Sequence, residues 1–120
     1  MTITKSTNEN NITLALGGWL DVETVQELRD ALAELPETEE LVFDLKELEY
    51  ISSVGIREIV STHKKQRDAG HVFRITRVLP DVMYILNVTG LTKVIDISAA
   101  SEEEVQKEEA ASDGEKESES

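Results

Sequence analysis

The chain of 120 residues contains no cysteine. Disulfides, thiolate metal sites and thiol catalysis are therefore excluded, and the absence accords with a reducing compartment. Long apolar runs are also missing. No segment approaches the roughly 18 residues of a membrane span, and the opening MTITKSTNEN lacks the apolar block of a signal peptide. The expectation is a cytoplasmic protein without a membrane partner. Basic charge is scarce: 12 Lys and Arg face 25 Asp and Glu, for a net charge of -13. A chain so acidic offers no broad positive field to a nucleic-acid backbone, which argues against DNA or RNA binding. The same balance favours solubility and steers basic protein partners.

Catalytic equipment is equally thin. Of the two histidines, His63 falls on the apolar side of a helical pattern and His71 at the start of a strand pattern. Neither has a second His or Cys placed to join it, so packing or simple exposure explains them better than metal ligation. No glycine-rich phosphate loop occurs, and Ser53 lacks the G-x-S-x-G elbow of a serine nucleophile. These absences predict a protein that is not an enzyme and that holds no metal or cofactor.

What is present is an alternating α/β pattern. Thr2 to Ser6 and Ile12 to Leu16 read as two strands of a hairpin around polar TNENN, with Gly17 and Gly18 ending the second. Asp21 is placed to cap an amphipathic helix in which Val25, Leu28, Leu32 and Leu35 share a face and which Pro36 stops. LVFDL, Leu41 to Leu45, is short and almost wholly apolar, as a strand covered on both faces would be. A second helix carries Ile56, Ile59, Val60 and His63 on one side and ends at Gly70. A strand over His71 to Thr76, a short helix opening at Pro80-Asp81 and a last strand over Val94 to Ile97 follow. Ser101 with Glu104 three residues on is a capping-box pattern for one more helix. From Ser101 to the end there are nine acids and two lysines, a net of -7. The expected organisation is one domain over residues 1–111 and an acidic, disordered tail over residues 112–120.

The segment YISSVGIREIV, Tyr50 to Val60, asks for more than a turn. A capping serine stabilises a helix by about 1 kcal/mol. A glycine in the first turn costs roughly as much against alanine. With Ser53 as the cap, Gly55 falls at the second helical position and nearly cancels the benefit. Two readings stand on local physics alone. In one, a serine caps and the glycine is incidental. In the other, the helix start is an exposed anion site, and a phosphoryl group on serine sits over free N–H groups without melting the helix.

The ordered set GWLD, amphipathic helix, LVFDL, LEYISSVGI, helix, AGHVFRIT, LPDVMYILNVTGL and VIDI, from about Ile12 to Ala111, resembles a STAS domain, specifically the bacterial anti-sigma-factor antagonists. The resemblance implies a small mixed sheet of four to five strands flanked by about four helices. It also implies that a serine at the start of the second helix is phosphorylated by a partner serine kinase of the ATP-binding, histidine-kinase-like type, often itself the anti-sigma factor. The unphosphorylated antagonist would bind that kinase and release its target, phosphorylation would abolish binding, and a PP2C-type serine phosphatase would restore it.

Laid over Ile51 to Ile56, the family pattern Asp-Ser-Ser-Gly-Leu or Ser-Ser-Ala-Gly-Leu implies Ser53 as the acceptor, with Ser52 where aspartate often stands. Gly55, Asp21 of the Gly-x-Leu-Asp segment and the strand aspartate Asp44 are the implied neighbours of the switch. For Asp21 a helix cap, and for Asp44 a structural role, are the plainer alternatives. Trp19, Val54, Ile56 and Arg57 are the candidate partner-binding residues; loop packing is the plainer account of Trp19. A rival keeps the fold and drops sigma control, making the chain a binding module in a stress-sensing assembly, in secretion or biofilm control, or in a transport complex. A monomer is the expected state.

Overall fold

The computed structural model describes residues 1–106. In order, the elements are β1 (Thr2–Asn8), β2 (Asn11–Leu20), α1 (Val25–Ala33), β3 (Glu40–Ile51), α2 (Ser53–Asp68), β4 (Val72–Val78), α3 (Pro80–Val88) and β5 (Asp96–Ala99). A single 3-10 turn over Leu91–Lys93 precedes β5. A further helix starts at Glu102, and the expected boundary at residue 112 and the tail beyond it lie outside the described residues.

The five strands form one sheet in the order β1-β2-β3-β4-β5. The β1–β2 hairpin is antiparallel, and every later pairing is parallel. Each parallel step is bridged by a helix, and the steps all advance in one direction across the sheet. Right-handed crossovers then put α1, α2 and α3 on a common face. The core agrees: Val25 and Leu28 of α1, Ile59 of α2 and Val82 and Leu86 of α3 join one cluster with the inward residues of β2, β3 and β4. At its centre Phe43 and Phe73 meet edge to face, centroids 4.9 Å apart, a favoured aromatic geometry.

Two expectations for the strands need correction. The LVFDL segment is not covered on both faces: β3 runs for 12 residues, with Leu41, Phe43 and Leu45 buried and Val42, Asp44 and Lys46 half-buried between them. The helices take one face of the sheet, and the other is polar. There Arg74 meets Glu40 at 3.3 Å and Asp96 at 3.1 Å, while Arg77 meets Asp44. Nor do Gly17 and Gly18 end β2, which passes through both to Leu20 with register shifts on either side of the pair.

This extra length positions the candidate site. Pairing of β3 with β4 stops at Asp44 and Thr76, whereas pairing with β2 continues to Ile51. The last residues of β3 therefore project with β2 beyond the β3–β4 pairing and lead directly into α2.

Candidate functional site

The start of α2 is built by Ser52, not Ser53. Ser52 is extended (φ -95, ψ 176) and is the N-cap, its Oγ accepting from the Gly55 amide at 3.5 Å, the long end of a hydrogen bond. Its own amide donates to Leu20 O at 2.9 Å, tying the helix start to the end of β2. Ser53 is thereby the first helical residue and is exposed, and Gly55 is the third rather than the second. The amides of Ser53 and Val54 have no hydrogen-bond partner among the described residues. Two unpaired N–H groups and the positive end of the helix dipole thus meet beside an exposed hydroxyl.

Gly55 is not incidental to the helix start. It is buried, and a Cβ there would lie 2.7 Å from Ile51 Cγ1, 2.8 Å from Leu20 Cγ and 3.0 Å from Leu20 O. The glycine lets α2 start hard against the ends of β2 and β3.

Beside this helix start lies an apolar surface. Trp19 and Tyr50 are register partners on β2 and β3, with ring centroids 5.2 Å apart and planes at 49°. They are 56% and 42% exposed, and Val22 in the next turn is 72% exposed. The turn is held internally. Asp21 Oδ1 accepts from the amides of Glu23 (2.9 Å) and Thr24 (3.1 Å), and Thr24 Oγ1 donates to Trp19 O at 2.7 Å. Asp21 therefore closes the turn ahead of α1, whose N-cap position is Thr24 without a side-chain bond. That arrangement fixes Trp19; the bonds fall on Asp21 Oδ1, and Oδ2 has no hydrogen-bond partner among the described residues.

The other candidates divide. Arg57 is exposed one turn into α2, whereas Val54 and Ile56 are half-buried against the core. Asp44 is not brought to the switch end. It precedes Ile51 by seven strand residues, about 23 Å at 3.3 Å per residue. Its carboxylate is engaged by Arg77 and by the Lys46 amide at 3.1 Å. The hydrogen bond to Asp44 raises the Arg77 guanidinium above its ordinary value, against an opposing effect of burial and with further support from the charges of Asp44 and Glu104. Glu104 is held below the usual glutamate range, chiefly by the Ser101 amide, in a reciprocal capping box closed by Glu104 N donating to Ser101 Oγ at 3.2 Å. These perturbed groups belong to the open sheet face, away from Ser53. Among the described residues no group of acidic or histidine side chains is placed to hold a metal ion, and no helix is long and apolar enough to cross a membrane.

Tyr50 and Val22 were not legible as surface residues. Alternation from Leu48 would turn Tyr50 inward, but a register shift between Gly18 and Trp19, with Gly18 at φ 87, turns it out beside Trp19. The paired glycines ahead of the tryptophan were the available signal.

A mixed five-stranded sheet with an exposed serine at the start of its second helix defines a recognisable class. The STAS domain family model matches residues 2–104, and the chain belongs to that family. Among curated proteins it is similar to the anti-sigma-B factor antagonist of Bacillus subtilis (strain 168), 34% identical over 100 residues that cover 82% of this chain and 92% of that protein. Among solved structures it is similar to an anti-sigma factor antagonist from Mycobacterium paratuberculosis, with a TM-score of 0.74 and 20% identity over 88% of this chain and 91% of that one. The unphosphorylated anti-sigma factor antagonist SpoIIAA aligns with a TM-score of 0.72 and 15% identity over 92% and 97% of the two chains. The phosphorylated form of the Bacillus SpoIIAA aligns with a TM-score of 0.67 and 14% identity over 89% of this chain and 98% of that one. At such identities these structures speak for the fold.

Proposed function

We propose that the chain is a partner-switching regulator controlled by phosphorylation of Ser53, and not an enzyme. The unphosphorylated form docks an anti-sigma factor that is also a serine kinase, and so releases that factor's target. Phosphorylation ends the contact, and a PP2C-type phosphatase restores it. The observation that carries this reading is the exposed Ser53 hydroxyl at the first position of α2, beside two unpartnered amides and an exposed aromatic pair. The 34% identity to a curated anti-sigma-B factor antagonist supports the choice of partner.

The chemistry follows from that placement. The docked kinase must bring its nucleotide to Ser53 Oγ, so its surface covers the start of α2 and reaches the Trp19–Tyr50 pair. Exposed aromatics of this kind supply much of an interface's binding energy. A phosphoryl group adds about -1.5 to -2 charges at neutral pH. The free N–H groups of α2 accommodate it in the separate protein. In the complex the same dianion is desolvated and meets the acidic groups of a kinase site, a penalty of several kcal/mol and a loss of affinity of about a hundredfold or more.

Phosphate mapping by mass spectrometry on protein from its native cells is the direct test, with a single modification expected at Ser53. In binding assays with the co-purified kinase, Ser53→Ala is expected to bind constitutively and Ser53→Asp to bind poorly. Equal binding of both variants and the wild type would refute the switch.

A further inference from the structure

Single apolar side chains on a surface need no account, but grouped ones do. Among the described residues the exposed large apolar side chains fall into two groups. Trp19, Val22 and Tyr50 stand around the start of α2, and Tyr84, Val88 and Val94 belong to α3 and the turn after it; Val72 alone lies elsewhere. Tyr84 and Val88 are 68% and 62% exposed and are neighbours one turn apart on the outer side of α3, opposite the buried Val82 and Leu86. The segment is also short of charge. Leu79 to Thr92 holds one charged residue, Asp81, in a chain of which 31% is charged. Thr89, next to Val88, turns its hydroxyl back onto the helix, donating to Ile85 O at 2.9 Å and to Leu86 O at 3.1 Å. The outer face of α3 is therefore apolar, whereas α1 exposes Glu27, Arg29 and Asp30, and α2 exposes Arg57, Lys64 and Arg67.

Topology puts this face at the switch end. α2 and α3 leave the C-terminal ends of β3 and β4, neighbouring parallel strands, so both helices start at the same end of the sheet, and α3 touches β3. With strands about 4.8 Å apart, the ends of β2, β3 and β4 span about 10 Å. In strand order Trp19 stands on β2, Tyr50 and Ser53 follow on and after β3, and α3 comes after β4. Area then argues for a single occupant. A stable interface takes about 800 Å² from each partner. A fully buried aromatic side chain supplies about 150–250 Å². Trp19 and Tyr50, each near half exposure, fall well short of the requirement even with Val22. The uncharged surface at the same end of the sheet that completes the area is that of α3. On the partner-switching reading, we infer that the partner docking on Ser53 also covers the outer face of α3, with Tyr84 and Val88 as a second anchor. The partner's matching surface is apolar and uncharged, unlike the basic one that the acidic chain as a whole would attract. Ser53 then stands between two apolar anchors, and a phosphoryl group there is stripped of water from both sides.

The test is calorimetric titration of the full chain with the purified kinase that modifies Ser53. Tyr84→Ser and Val88→Ser, both exposed substitutions, should keep the urea midpoint of the wild type, which is the check on folding. Tyr84→Ser should weaken binding about tenfold and Val88→Ser about threefold. Val72→Ser, an equally conservative change at the far end of β4, should leave affinity unchanged. Wild-type affinity of Tyr84→Ser, with Ser53→Asp still binding poorly, would overturn the second anchor and leave the switch standing. Weakened binding of Tyr84→Ser, with Ser53→Asp binding as wild type does, would keep the anchor and refute the switch. An equal loss in Val72→Ser would show a general effect of surface apolarity and overturn the assignment to α3. A dimer of the isolated chain in sedimentation equilibrium, dissociated by Tyr84→Ser, would give the face to a second copy and likewise overturn it.

Discussion

Replacing Gly55 by alanine pits two known effects against each other. In an open helix the change is favourable by about 1 kcal/mol. Here the new Cβ meets Ile51 Cγ1 at 2.7 Å and Leu20 Cγ at 2.8 Å, and those side chains are 2% and 0% exposed. Neither is the loose end of a surface residue, so relief requires α2 to move. Overpacking of this kind costs about 1–3 kcal/mol. The third contact is Leu20 O at 3.0 Å, the same oxygen that accepts the Ser52 amide at 2.9 Å. Lengthening that bond loses roughly 1 kcal/mol more. The expected balance is a destabilisation of about 1–3 kcal/mol, seen in urea as a lower midpoint at unchanged slope. In a thermal melt each kcal/mol corresponds to about 4–8 °C for a domain of this size. Leu20→Ala in the same chain opens space for the new methyl, so the double variant should lose less than the sum of the singles. A Gly55→Ala protein as stable as wild type, or more so, would refute the account of this glycine.

Ser52→Ala removes a cap whose bond is already 3.5 Å long, so a loss near the lower end of the range, about 0.5 kcal/mol, is expected in urea denaturation, with Ser53 still modified. Trp19→Ala should weaken kinase binding about tenfold or more in calorimetry, as an interface anchor does. Its folding stability should change little, because the ring is 56% exposed. Glu104 is held below the ordinary glutamate range by the Ser101 amide. A carboxylate depressed on folding contributes above its unfolded value and loses that contribution as pH falls through its folded value. Amide protection factors at residues 102–106, taken against the intrinsic exchange rate at each pH, should accordingly fall as pH drops through the acid range. Ser101→Ala should weaken the capping box and lower those protection factors already at neutral pH.

Much of the fold was legible because its periodicities are clean. The stripe on α1, the Pro80 start of α3 and the Ser101–Glu104 box each rest on contacts within a few residues, and each is present. The reading failed where geometry depends on a neighbouring strand. An apolar LVFDL reads as doubly covered, but only the pairing partners reveal that Val42 and Asp44 face the open side. The outward turn of Tyr50 needed the shift at Gly18 and Trp19, a property of two strands together. Asp44 was assigned to the switch by resemblance of a short segment, and the length of β3 leaves it seven residues short of the end that leads into α2.

The candidate site shows the same division within a single motif. Two serines and a glycine were enough to mark the start of α2, yet the identity of the cap turned on one backbone bond from Ser52 to Leu20, 32 residues away in sequence. That bond and the close approach at Gly55 come from the same contact between α2 and the end of β2. Together they set Ser52 as the cap, and only then does Ser53 become the first helical residue with its hydroxyl outward. Gly55 is therefore not incidental to this motif but a packing residue that helps decide which of two adjacent serines stands first in the helix and exposed.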